Sequence, residues 1–103
     1  MKLKTILEKL HRDLVDEGKL IEAGWIGMRI ACVPDDASEI QVSDMRMAFF
    51  GGAQHLFSCL MTIMESGSEP TDKDLERMSL IDAELRKFVD ELELRHASAK
   101  GSA

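Results

Sequence analysis

A chain of 103 residues, 45% of them apolar and 31% charged, has the make-up of one folded domain rather than of a disordered tract. Its formal net charge of −6 counts against a surface built for phosphates, whose affinity rests on Lys and Arg, so direct nucleic-acid binding is not expected. The acidity is uneven: residues 1–46 hold seven Lys/Arg against nine Asp/Glu, while residues 65–95 hold five against ten.

The first segment places Leu3, Leu7, Leu10, Leu14, Ile21, Trp25, Met28 and Cys32 at the three-and-four spacing of one helical stripe. Gly18 falls on that stripe and the register is kept across it. The pattern predicts one helix over residues 2–33, long or bent near Gly18, with two helices as the alternative. Ile26, Ile30 and Val33 add a second apolar face, and Arg29 lies between the two faces. A guanidinium there must extend along its stem or find an acceptor, for which Glu39, Asp44 and the carbonyls of the next turn are candidates.

Pro34 stops this helix, since proline disfavours helical geometry in the residue before it. Asp36 with Glu39 has the spacing of a capping box, and Ser43 offers a later start. The second helix is expected over residues 38–66. It contains the most distinctive stretch of the chain, Met47 to Met64, eighteen residues without a formal charge. On a wheel of 100° per residue, Met45, Phe49, Leu56, Leu60 and Ile63 fall together, and Phe50, Phe57, Met61 and Met64 form a second face. Ala48, Gly52 and Cys59 make a small-residue seam. The apolar arc, about 220° wide, exceeds what a helix on the surface of one core needs. A seam for the core or for a dimer is therefore expected at Ala48, Phe49, Gly52, Leu56, Phe57, Cys59, Met61 and Met64. The remaining sector is a weakly polar strip of Gly51, His55, Ser58 and Thr62, with Gln54 alongside.

The segment ESGSEPTD reads as a loop, and Thr71 with Asp74 three residues on reads as the N-cap of a third helix over residues 72–96. Leu75, Met78, Ile81, Leu85, Phe88 and Leu92 form a narrow stripe on that helix, opposite charged positions. Residues 97–103 are expected to be a flexible tail. The whole predicts an all-α fold: a single helical domain over residues 1–96, an up-down-up antiparallel three-helix bundle with the uncharged helix in the middle. An unbroken first helix, about 45 Å long, would outreach a compact monomer, which makes completion by dimerisation the expectation.

The uncharged stretch is at the lower edge of a membrane span, but its glycines and polar side chains dilute it, and a helix enclosed by protein is the expectation. The N-terminus meets charges too early for a secretory leader. Cys32 and Cys59, with no CxxC, read as buried thiols in a reducing compartment, and cytoplasmic residence follows as the default.

No catalytic, cofactor or metal site is expected. His11, His55 and His96 lack the ligand spacing that lets side chains project together from neighbouring turns. His55 with Ser58 or Cys59 has the spacing of a base and nucleophile but no third orienting group. Gly51 and Gly52 lack a phosphate-loop context. The expected function is a non-catalytic helical protein-interaction module, a homodimer working on a protein partner. Its specific form is a small acidic inhibitor of a nucleic-acid-handling complex, of the anti-CRISPR kind found in phages and mobile elements, using Glu76, Glu84, Asp90, Glu91 and Glu93. The alternative is a small-molecule-binding or enzymatic bundle with a polar pocket of Arg29, Gly51, His55, Ser58 and Thr62.

Overall fold

The computed structural model describes residues 2–64 and 69–101, the side chains of residues 64, 96 and 98–101 apart. The described residues are all-helical: α1 Leu3–Asp16, α2 Leu20–Cys32, α3 Glu39–Met64 and α4 Asp72–Gly101. They divide into two compact units, Met1–Leu60 and Met61–Ala103.

The expected first helix is two helices, broken at Gly18. Gly18 has φ +80°, a left-handed conformation that lacks steric penalty only without a Cβ. Its N–H donates to the Val15 carbonyl at 3.0 Å, and the Lys19 N–H donates to the Leu14 carbonyl at 2.9 Å. These are the paired bonds of a Schellman motif, and they satisfy carbonyls that the end of α1 would leave open. The chain reverses, and α2 returns antiparallel along α1. His11 of α1 lies 3.8 Å from where a side chain on Gly27 would begin, and Leu3 and Leu7 meet Ile30 and Val33 at the other end.

Folding back puts the stripe of α1 against that of α2. Leu7, Leu14, Ala23, Trp25, Ile26 and Val33 are buried, with Leu3, Ile30, Ala37, Val42, Met45, Phe49 and Phe50 packed around them. A straight helix would have left both sets facing water. At the far end of α2, Val33 is extended and Pro34 follows, as expected of a proline stop. The Ala37 N–H donates to the Pro34 carbonyl at 3.1 Å, which makes residues 34–37 a turn.

The capping box of α3 is formed by Ser38 and Gln41, rather than by Asp36 and Glu39. Ser38 Oγ accepts from the Gln41 N–H at 3.1 Å, and Gln41 Oε1 accepts from the Ser38 N–H at 2.9 Å. Asp36 lies inside the preceding turn. The uncharged helix is also not the buried centre: no described side chain of α3 is fully buried. Its N-terminal half supplies Val42, Met45, Phe49 and Phe50 to the hairpin core, while Met47 is 70% and Phe57 59% exposed. An absence of charge reports only tolerance of an apolar environment.

In the second unit, α4 opens with the expected box. Thr71 Oγ1 accepts from the Asp74 N–H and Asp74 Oδ2 from the Thr71 N–H, both at 3.1 Å. The tail expected from residue 97 is helical through Gly101, since Ala97, Ser98 and Ala99 offer nothing that terminates a helix before that glycine. Residues 65–68 of the expected loop, the end of the second helix at Ser66, and residues 102–103 lie outside the described residues.

Replacing Gly18 by Ala would place a methyl group in open space, as no atom lies within 4 Å, yet would force it into left-handed geometry. Gly18→Ala is expected to lower unfolding free energy by about 1–2 kcal/mol, and Gly18→Asn by less. Urea titration followed by Trp25 fluorescence, the single tryptophan, measures both.

Candidate interaction surface

The first unit joins α3 to the hairpin through one line of contacts. Trp25, 2% exposed, packs its ring 6.1 Å from that of Phe49 at a tilt of 51°. Phe49 meets Phe50 edge-on at 6.0 Å, and the Arg46 guanidinium lies 4.3 Å above the Phe50 ring. Arg46 Nη2 then donates to Glu22 Oε2 of α2 at 2.7 Å. Gly24 makes the approach possible: a Cβ there would sit 3.2 Å from Phe49 Cζ. Trp25, Phe49 and Phe50 thus work together, whereas Phe57 stands in solvent.

Beside this line an open groove of about 860 Å³ runs along α3. Its walls are Ile21, Ser43, Arg46, Met47, Phe50, Gly51, Ala53, Gln54 and Phe57. Arg46 is its one charged residue and is already engaged by Glu22 and Phe50, so the groove offers chiefly apolar and aromatic surface.

The proposed polar pocket does not assemble. Gly51 lines the groove, but Arg29 lies in a separate recess with Leu3, Lys4, Leu7 and Asp35. Among the described residues Arg29 forms no ion pair with Asp44 or Glu39. His55, Ser58 and Thr62 are exposed along α3. His55 Nε2 stands 3.7 Å from Cys59 Sγ, and Gln54 Nε2 donates to Ser58 Oγ at 3.1 Å. One helix face, open to water, provides neither an enclosed reactant site nor a group to orient the imidazole. Among the described residues no group of His, Cys, Asp and Glu is arranged to hold a metal, and no helix is long and apolar enough to cross a membrane.

Of the expected seam, Phe49 joins the core periphery and Leu56 and Cys59 are half-buried, while Ala48, Gly52, Phe57 and Met61 are exposed. The Met64 side chain lies outside the described residues. Both cysteines are free; Cys59 is half-buried, but Cys32 is exposed, contrary to the expectation of two buried thiols. It occupies the last position of α2, beyond the face that packs on α1.

The second unit carries the other surface. Met78, Leu85, Phe88 and Leu92 are between 43% and 58% exposed on one side of α4, with Ile81 half-buried among them. Glu76, Glu84, Asp90, Glu91 and Glu93 are all exposed. At 100° per residue they are spread around the side away from the apolar row rather than gathered at one spot. Among the described residues, Arg77 pairs with Asp74 and Arg86 with Asp82, while those five carboxylates have no ion-pair partner. Comparison with protein-family models, curated proteins and solved structures finds no match.

Two features here had no sequence signal: the Glu22–Arg46 pair, whose members are 24 residues apart, and the groove. The closeness of α2 and α3 was foreshadowed only by Gly24, beside the bulky Trp25 and Ile26.

Phe49→Ala removes the ring that bridges Trp25 and Phe50. It is expected to destabilise the first unit by about 2–4 kcal/mol and to shift Trp25 emission to the red in the native state. Equilibrium denaturation and the emission spectrum check the two effects.

Proposed function

We propose that the protein is a non-catalytic helical interaction module that docks on a protein partner through the acidic side of α4. The reading rests on one observation: Glu76, Glu84, Asp90, Glu91 and Glu93 stand exposed and outside the ion pairs found among the described residues of that helix. A solvated carboxylate already neutralised by a neighbouring Arg contributes little to a partner. Five that are not neutralised create a field that steers association with a basic surface and disfavours acidic ones. The partner chemistry this fits is a lysine- and arginine-lined channel of a nucleic-acid-handling protein, where these carboxylates would occupy the place of phosphates. The module would then act as an inhibitor by occlusion.

Completion of the fold by a second copy belongs to the same proposal. Six apolar side chains are buried among the described residues, a small core for a chain of this length. The exposed apolar row of α4 and the groove beside α3 are surfaces that association covers. The helical bundle is in this reading a property of the assembly.

Combined substitution of Glu84, Asp90, Glu91 and Glu93 by Lys tests the docking. Wild-type protein used as bait in extract of its own host is expected to retain a basic nucleic-acid-handling protein, with retention falling as salt rises. The charge-reversed bait, matched for helicity by circular dichroism, is expected to lose it. Equal capture of the same protein by both baits would refute the acidic-docking reading.

A further inference from the structure

We infer that His55 and Cys59 form a chelating pair for a zinc ion on the open face of α3. The pair lies on a different helix from the proposed docking face.

Position and distance point to it together. The two residues stand four apart, about one helical turn, so both side chains leave α3 on the same side. His55 Nε2 lies 3.7 Å from Cys59 Sγ. Zinc bonds to an imidazole nitrogen and a thiolate sulfur are about 2.0–2.1 Å and about 2.3 Å long, and at a tetrahedral angle they set the two atoms about 3.6 Å apart. The pair is thus already spaced as one edge of a zinc tetrahedron. Both side chains are held on a formed helix, so binding requires little further ordering. His55 is exposed and Cys59 half-buried, which leaves the ion a path from water.

With the ring proton on Nδ1, the contact between Sγ and Nε2 is a hydrogen bond through the thiol proton. Zinc takes the place of that proton. The S–H bond breaks, the proton passes to solvent, and sulfur and nitrogen each donate an electron pair to the ion.

The donor set selects the ion. One thiolate and one imidazole suit zinc and other borderline-soft divalent ions, whereas magnesium and calcium take oxygen ligands. No charged side chain occurs from Met47 to Met64, so no carboxylate of that stretch draws a hard cation. The pair fills two of the four positions of the tetrahedron, in keeping with the absence of any group of three or more ligating side chains among the described residues. The other two positions are open to water, unlike those of a structural zinc site closed by four protein ligands. An ion bridging successive turns also braces α3 beyond Phe50, where the hairpin core no longer supports it.

The full chain with Cys32 replaced by Ala keeps Cys59 as its single thiol. Titrated with cobalt(II), a coloured stand-in for zinc, it is expected to develop the near-ultraviolet charge-transfer band of a cobalt–thiolate bond and to saturate at one ion per chain when the ion is in excess. Zinc is expected to abolish the band by displacement. His55→Ala in the same background, matched for helicity by circular dichroism without metal, is expected to weaken cobalt binding by about tenfold or more, since loss of even a group that orients a ligand costs that much. Adding Gln54→His to that variant returns the imidazole one residue away, about 100° around the helix, and is expected not to restore binding. Absence of the charge-transfer band, an affinity unchanged by His55→Ala, or full recovery with the displaced histidine would each overturn the inference.

Discussion

The left-handed turn at Gly18 is the constraint on which the rest of the first unit depends. One residue with φ +80° converts a stripe that could have run straight into two stripes that face each other. Only after that reversal does Trp25 find Leu7 and Leu14 within one core, and only on the floor so made can Phe49 lie across Gly24. The order of dependence is clear: glycine sets the hairpin, the hairpin buries the tryptophan, and the tryptophan presents the surface that receives α3. The Glu22–Arg46 pair is last in that chain. Partly exposed as it is, it fixes direction more than it adds stability.

What remains uncovered is as characteristic of the molecule as its core. Buried apolar side chains are concentrated in the hairpin, while α3 beyond Phe50 and nearly the whole of α4 present large apolar groups to water. Exposed apolar surface of this kind favours association, and on α4 it is flanked by carboxylates that carry much of the chain's acidity. Apolar and acidic side chains thus share the same helix.

Much of this was legible in the residues themselves. The all-helical class, the stop at Pro34, the start of the last helix at Thr71 and Asp74, and the narrow stripe of α4 each follow from a local rule. The break at Gly18 was ambiguous because periodicity records which residues share a helical face and is blind to whether two segments are collinear or folded together. A three-residue reversal happened to preserve the spacing of the leucines and Ile21. The uncharged stretch misled for a different reason: residues 47–64 lack charge, but burial needs a neighbour as well, and the hairpin reaches only as far as Phe50. The polar pocket failed on angle. Arg29 shares chemistry with the strip on α3 but lies toward the α1 end of the hairpin core, and no local spacing encodes that separation.

The reciprocal caps at Ser38 with Gln41 and at Thr71 with Asp74 also divide the chain into parts that can and cannot change length. Each box anchors the first turn of its helix, so the rotational phase of every later side chain is counted from it. Residues added before Ser38 or Thr71 lengthen a connection and leave those phases alone. A single residue added between Met78 and Leu85 turns everything beyond it by about 100°, carrying Leu85 and Phe88 out of line with Met78. A length difference in a connection therefore leaves the faces of the following helix intact, whereas one inside α4 splits its apolar row.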